Sequence, residues 1–242
     1  MKKISFFPVI VLLCVSCNAR LSGSLMEDGQ ADLQIYTALE PRITRLIGIL
    51  AAASGTKKQD SSKMDAPILD GPAIAASMAH APGIASVSLK NTAPAAIEGP
   101  VKISKVGDFL SVRGTKNFSF IDYKQSSSAG GSCTVNLSLD SGPEILALIS
   151  PDIVDYLSAL MAPLATGEKM TTAEYLADIS AIYGSGIADE ISKALVRAAI
   201  DFPGAIQSVK GGTFSGKKAE FTIPLVDILV LEKPLSYEVI WK

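Results

Sequence analysis

The same punctuation occurs twice along this chain, and it limits the fold more than any single motif does. Gly29-Gln30-Ala31-Asp32-Leu33 opens an alternating segment that leads into a helix start marked by proline, and Gly131-Ser132-Cys133-Thr134-Val135 does the same. Pro82-Gly83 and Pro203-Gly204 each close a helical stretch ahead of a short strand; Ile103-Ser104-Lys105-Val106 and Ile223-Pro224-Leu225-Val226 come next. Strands need a period of two and helices one of 3.6, so this order predicts an α+β protein. Antiparallel β-hairpins would pack with several amphipathic helices, as two related ββα(α)ββ units over residues 17–115 and 116–242. An old duplication accounts for the pattern; so does ordinary α+β punctuation. Both one shared domain and two lobes remain open.

In the first half, Leu21 to Leu39 reads as a hairpin turning at Glu27-Asp28-Gly29, with Ala31, Leu33, Ile35 and Thr37 facing inward. Pro41 starts a helix whose stripe is Ile43, Leu46, Ile47 and Leu50. The polar stretch Thr56 to Ala66 reads as an exposed excursion. Asp70 caps a helix with Pro72 near its start, and Ile84 to Leu89 is a strand. Asn91 to Pro100 reads as a loop, and Val101, Ile103, Phe109 and Val112 as two short strands. In the second half, Phe118, Phe120 and Tyr123 share a strand face, and Thr134 to Leu139 returns. Pro143 and Pro151 begin helices, the second lined by Ile153, Leu157, Leu160 and Leu164 and ended by Pro163. Thr171-Thr172-Ala173-Glu174 is a capping box. A longer helix is expected through Ile187, Ile191, Ala194, Leu195 and Ala198. Ala205 to Val209, Ala219 to Ile223, Val226 to Leu231 and Tyr237 to Trp241 read as strands.

The N-terminus sets the address. Lys2 and Lys3 precede an almost wholly apolar run from Ser5 to Val15, too short for the roughly 20 residues that span a bilayer but suited to a secretory leader. Val15-Ser16-Cys17, behind Leu12 and Leu13, resembles the lipobox of bacterial lipoproteins, in the relaxed form of spirochaetes because Cys14 stands three residues before Cys17. The resemblance implies a leader over 1–16, cleaved before Cys17, and a Cys17 that carries a diacylglycerol thioether and an N-acyl chain such as palmitate. The partner it implies is membrane lipid, held through acylated Cys17 in a bacterial cell envelope, at the inner or the outer membrane. An ordinary signal-peptidase site or an uncleaved helix is the alternative. Three acyl chains bury tens of methylenes at about 0.8 kcal/mol each, an attachment that does not reverse on its own.

Removing Lys2 and Lys3 with the leader leaves 20 basic residues against 24 acidic ones. No basic stripe stands out, so nucleic acid is an unsuited partner. With Cys17 acylated, Cys133 is the remaining thiol, which excludes a disulfide framework within one chain; it reads as a small buried hydrophobe. The chain is 48% apolar with 6% aromatic residues, so it has material for a core built largely from small side chains.

Catalytic signals are weak. His80 is the single histidine and has neither a second histidine nor a cysteine nearby, which removes both a metal site and Ser-His-Asp chemistry. Gly211-Gly212-Thr213-Phe214-Ser215-Gly216-Lys217 fits G-x-x-x-x-G-K, but Lys218 stands where magnesium would need a hydroxyl, and the following residues alternate as a strand. Asp28, Asp70, Asp108, Asp122 and Asp227 are scattered, though a glycosidase-like carboxylate pair could assemble in space. The expectation is a lipid-anchored envelope protein with a non-catalytic binding or assembly role, no cofactor and no metal. Its partner would be an envelope protein, or a hydrophobic molecule held in a cavity beside Leu157, Leu160, Leu176 and Ile179. The hydrolase with a carboxylate pair is the other alternative.

Overall fold

The computed structural model describes residues 18–53, 67–112, 116–126, 130–147 and 160–242. Expectations for Cys17, Thr56 to Ala66, Pro151, Ile153 and Leu157 lie outside them. The chain is α+β. In order it forms β1 (Asn18–Leu25), β2 (Ala31–Ala38), α1 (Pro41–Ala53), α2 (Gly71–Met78), β3 (Ile84–Val87), β4 (Lys90–Ala93), β5 (Ala96–Ile103), α3 (Val106–Phe109), β6 (Ser111–Val112) and β7 (Lys116–Asn117). It continues with β8 (Ile121–Ser126), β9 (Gly130–Leu137), a 3-10 turn (Leu139–Ser141), α4 (Gly142–Ala147), α5 (Ala162–Thr166), α6 (Thr172–Tyr183) and α7 (Ser185–Lys193). Last come β10 (Leu195–Asp201), β11 (Ile206–Lys210), β12 (Thr213–Ser215), β13 (Lys218–Pro224), α8 (Leu225–Val230) and β14 (Leu235–Trp241).

Two sheets carry the fold. The larger runs β12-β13-β10-β1-β2-β5-β3, with β4 also on β5; the smaller runs β11-β14-β9-β8. Within them β1-β2-β5-β3 and β8-β9-β14-β11 have the same antiparallel order, each a hairpin followed by the last strand of its set and then an earlier strand. β10 departs from that scheme. It pairs in parallel with β1, and β13 lies antiparallel on its other side, so strands from both sides of residue 115 share the larger sheet.

Alternation sorts the larger sheet's side chains. Ala19, Ile35, Ile97, Val101, Val196 and Ala219 are buried on the inner face, while Arg20, Ser22, Gln34 and Thr222 are exposed on the outer one. The inner face belongs to one continuous apolar core with Tyr175 and Ile179 of α6, Ile187 and Ile191 of α7, Leu225, Val226, Ile228 to Leu231, and Trp241. Trp241 is 1% exposed, with Phe202 4.8 Å and Tyr123 6.4 Å away, ring centre to ring centre. Its approach explains Gly131: a Cβ there would lie 2.4 Å from the indole ring.

Local signals place several elements as expected. The Asp70 carboxylate accepts the Ala73 amide at 3.0 Å and caps α2. Thr171 and Glu174 form the reciprocal capping box of α6. Gly211-Gly212 bends the chain from β11 in the smaller sheet to β12 in the larger one, and Gly216-Lys217 turns the β12–β13 hairpin, so the residues after Lys217 form a strand as expected.

Five expectations are corrected. Val226 to Leu231 is not a strand: Leu225–Val230 is α8, in which Leu225, Val226, Ile228, Leu229 and Val230 are all buried. A short run apolar on every side has no period from which to choose. Leu195 and Ala198 are not helical, because α7 stops at Lys193, Ala194 turns extended, and β10 is drawn between β1 and β13. Asn91 to Pro100 is β4, a two-residue turn and the start of β5, whose Ile97 is fully buried. Pro163 does not end a helix; it lies in the first turn of α5, where its missing N–H costs nothing. Phe109 likewise closes the single turn α3 rather than joining a strand.

Candidate functional site

The first described residue, Asn18, already lies inside the larger sheet, opposite Leu195 on β10 and Ala38 on β2. Its side-chain amide donates to Glu40 Oε1 at 2.8 Å, which ties the start of β1 to the chain entering α1. α1 has no acidic residue in its own first turn. Glu190 of α7 supplies one: its carboxylate accepts the Ile43 amide at 3.1 Å and the Arg42 amide at 3.4 Å. A carboxylate there satisfies orphan donors at the positive end of the helix. The Arg42 guanidinium donates in turn to the Gly186 carbonyl at 3.2 Å, over a glycine that leaves it room. The end of the sheet where β1 begins is therefore fixed by contacts between residues more than a hundred positions apart.

One row inward, the outer face carries Thr222, Arg197, Arg20, Tyr36, Glu98 and Lys90 side by side on β13, β10, β1, β2, β5 and β4. The Arg20 guanidinium stands 5.6 Å from the centre of the Tyr36 ring, a cation–π distance. Lys90 pairs with Glu98 at 3.1 Å, the lysine largely in solvent and the glutamate half-buried. Lys218 likewise pairs with Glu220 at 2.9 Å. Arg20 and Arg197, Cα partners on parallel neighbours, pair with no carboxylate among the described residues. Beside this row a recess of about 340 Å³ opens between Arg20, Ser22, Gln34, Tyr36, Lys90 and Glu98. Its lining is polar and apolar in about equal measure, with Ile35, Gly99 and Pro100 beneath the hydroxyl, amide and charged groups.

The other sequence candidates are dispersed. His80 is exposed just past α2. Asp28 accepts from Gln30 in the β1–β2 turn, Asp70 caps α2, Asp108 lies in α3, and Asp122 pairs with Lys124 on β8. Asp227 lies in the first turn of α8, where burial raises its carboxyl and the nearby Glu232 adds to the rise. Glu232 itself accepts the Thr172 amide at 2.8 Å. Asp227 does not line the recess. Of the residues expected around a hydrophobic ligand, Leu160 and Ile179 are packed in the core and Leu176 lies partly buried against it. The described residues contain no group of three or more His, Cys, Asp or Glu side chains suited to a metal.

Sequence reasoning passed over Arg20 and Arg197. The hairpin was read from Leu21 onward, which left Arg20 outside it, and Arg197 sat in a stretch read as helix, so their parallel pairing left no local trace.

The chain matches no protein-family model and no curated protein. Among solved structures its fold resembles the NMR structure of the folded domain of the Mycobacterium tuberculosis protein LppM. That likeness has 12% identity, covers 93% of this chain and 88% of the other, and has a TM-score of 0.38. A likeness of that order says nothing about activity or partner.

Proposed function

We propose that the chain is a lipid-anchored protein of the bacterial envelope, held by acylated Cys17, which acts by binding rather than by catalysis. The observation that carries this reading is the junction. The lipobox-like Val15-Ser16-Cys17 ends one residue before β1, and β1 is an interior strand tied by Asn18 to Glu40 and by its backbone to β2 and β10. A leader ending there leaves no spacer between thioether and folded protein. The domain would sit directly on the bilayer, with the β1 entrance toward lipid and the outer sheet face beside it.

The rival readings draw less support. A hydrophobic ligand would need an apolar cavity by α6, where Ile179 and Tyr175 are instead packed at 3% and 2% exposure. A hydrolase would need displaced carboxyls converging on a cleft, whereas the raised Asp227 and the recess are apart. Cells grown with an alkyne-tagged fatty acid should incorporate label into this protein, and Cys17→Ser should abolish the label and release the protein from membranes. Undiminished labelling of Cys17→Ser would overturn the anchor.

A further inference from the structure

We infer that Arg20 and Arg197 form a docking site on the outer face of the larger sheet for the phosphate headgroup of an anionic lipid, in the same bilayer that holds Cys17. The inference rests on the anchor proposed above and adds a contact that the anchor does not require.

The argument begins with register. Arg20 and Arg197 are Cα partners in a parallel pair, so their side chains leave the same face about 4.8 Å apart. Two like charges at that spacing repel, and proteins usually relieve such a pair with a carboxylate. Here the nearer carboxylates of the face are engaged elsewhere, Glu98 with Lys90 and Glu220 with Lys218, while Asp32 and Asp201 flank Ser24, four residues along the strands from the arginines. The flanking groups are instead neutral donors and acceptors, namely Thr222 beside Arg197, Tyr36 beside Arg20, and Ser22 and Gln34 in the next row. Two guanidiniums with hydroxyls around them match the planar, multidentate demands of a phosphate diester, and the recess beside Arg20 leaves space for the rest of a headgroup.

Height above the membrane selects the source of that phosphate. Arg20 is three residues from Cys17, so its Cα lies at most about 10 Å from the acylated residue. The headgroup layer of a bilayer is roughly 5–8 Å deep, and an arginine side chain spans the remainder. The mature chain is acidic, with 20 basic residues against 24 acidic, so general charge would not draw it toward an anionic surface. A local pair of unneutralised guanidiniums next to the tether would.

The test is a footprint of the acylated protein with phenylglyoxal, an arginine reagent, read residue by residue by mass spectrometry. In nanodiscs of phosphatidylcholine mixed with phosphatidylglycerol, modification of Arg20 and Arg197 should slow severalfold relative to nanodiscs of phosphatidylcholine alone, while exposed Arg45 keeps its rate. In Cys17→Ser protein, which lacks the tether, Arg20→Gln or Arg197→Gln should each weaken binding to phosphatidylglycerol vesicles about fivefold. Lys210→Gln and Lys233→Gln should each change it far less, with Trp241 emission verifying the fold. Equal slowing of Arg45, equal rates in both nanodiscs, or equal losses from the lysine substitutions would overturn the site. So would protection by inorganic phosphate in micelles without protection by the bilayer, which would mark a soluble anion as the ligand. Intact mass reports acylation of Cys17 separately, so an unacylated protein whose arginines are still protected by anionic vesicles would sink the anchor and leave the site.

Discussion

Cys133 shows how far a residue's chemistry depends on its neighbours. It lies on β9 opposite Tyr123 of β8 and Val239 of β14. Burial, with a smaller contribution from the Asp122 charge, pushes its thiol up to about 11. The same burial, together with Cys133, pushes the Tyr123 hydroxyl up to about 12. At neutral pH the thiol is protonated, and the thiolate is the nucleophile. A maleimide should therefore label the native protein slowly at pH 7 and quickly in urea, with the native rate climbing as pH approaches 11. Fast labelling of the native protein at pH 7 would show that the sulfur is not enclosed. A small buried hydrophobe was the reading from sequence; the structure leaves Cys133 half-buried, with its thiol held protonated. Trp241 carries the opposite lesson: its buried indole N–H has no acceptor among the described residues, a cost of about 1–3 kcal/mol that the surrounding aromatic packing must outweigh.

At the level of elements, α8 is held by packing against its own backbone preference. Leu231 ends it in the left-handed region at φ 48, and that residue is only 3% exposed. A left-handed non-glycine residue costs about 1–2 kcal/mol, while loss of a buried leucine side chain costs about 2–5 kcal/mol. Packing wins. Leu231→Gly should therefore destabilise the protein, and Leu231→Ala, which keeps the backbone penalty, should destabilise it by about 1 kcal/mol more. Urea unfolding followed by Trp241 emission measures both. A Leu231→Gly protein more stable than the parent would mean that the backbone term dominates. The same competition explains why β10 was read as helix: Leu195-Val196-Arg197-Ala198-Ala199 suits either state locally, and pairing on two sides decides it.

Across the whole molecule, β10 and β13 make β1 an interior strand, and Val196 and Ala219 complete its core face. A fragment ending at residue 115 would leave the β1 backbone unpaired on one side and uncover Ala19. We expect that fragment to lack slowly exchanging amides in β1 and β2, whereas the intact chain protects them. Protected amides in the fragment would make the first half a folding unit in its own right. Much of the architecture was legible in the residues. Period-two alternation gave the β1–β2 hairpin, and Asp70 and the Thr171–Glu174 pair marked helix starts. These features act over a few residues, so the chain alone determined them, as it determined the lipobox-like approach to Cys17. Parallel pairing of β1 with β10, the cap that Glu190 provides for α1, and the meeting of Arg20 with Arg197 join residues more than a hundred apart. No local period encodes such contacts; burying one shared apolar face selects them, so only the tertiary structure could decide where the basic pair stands.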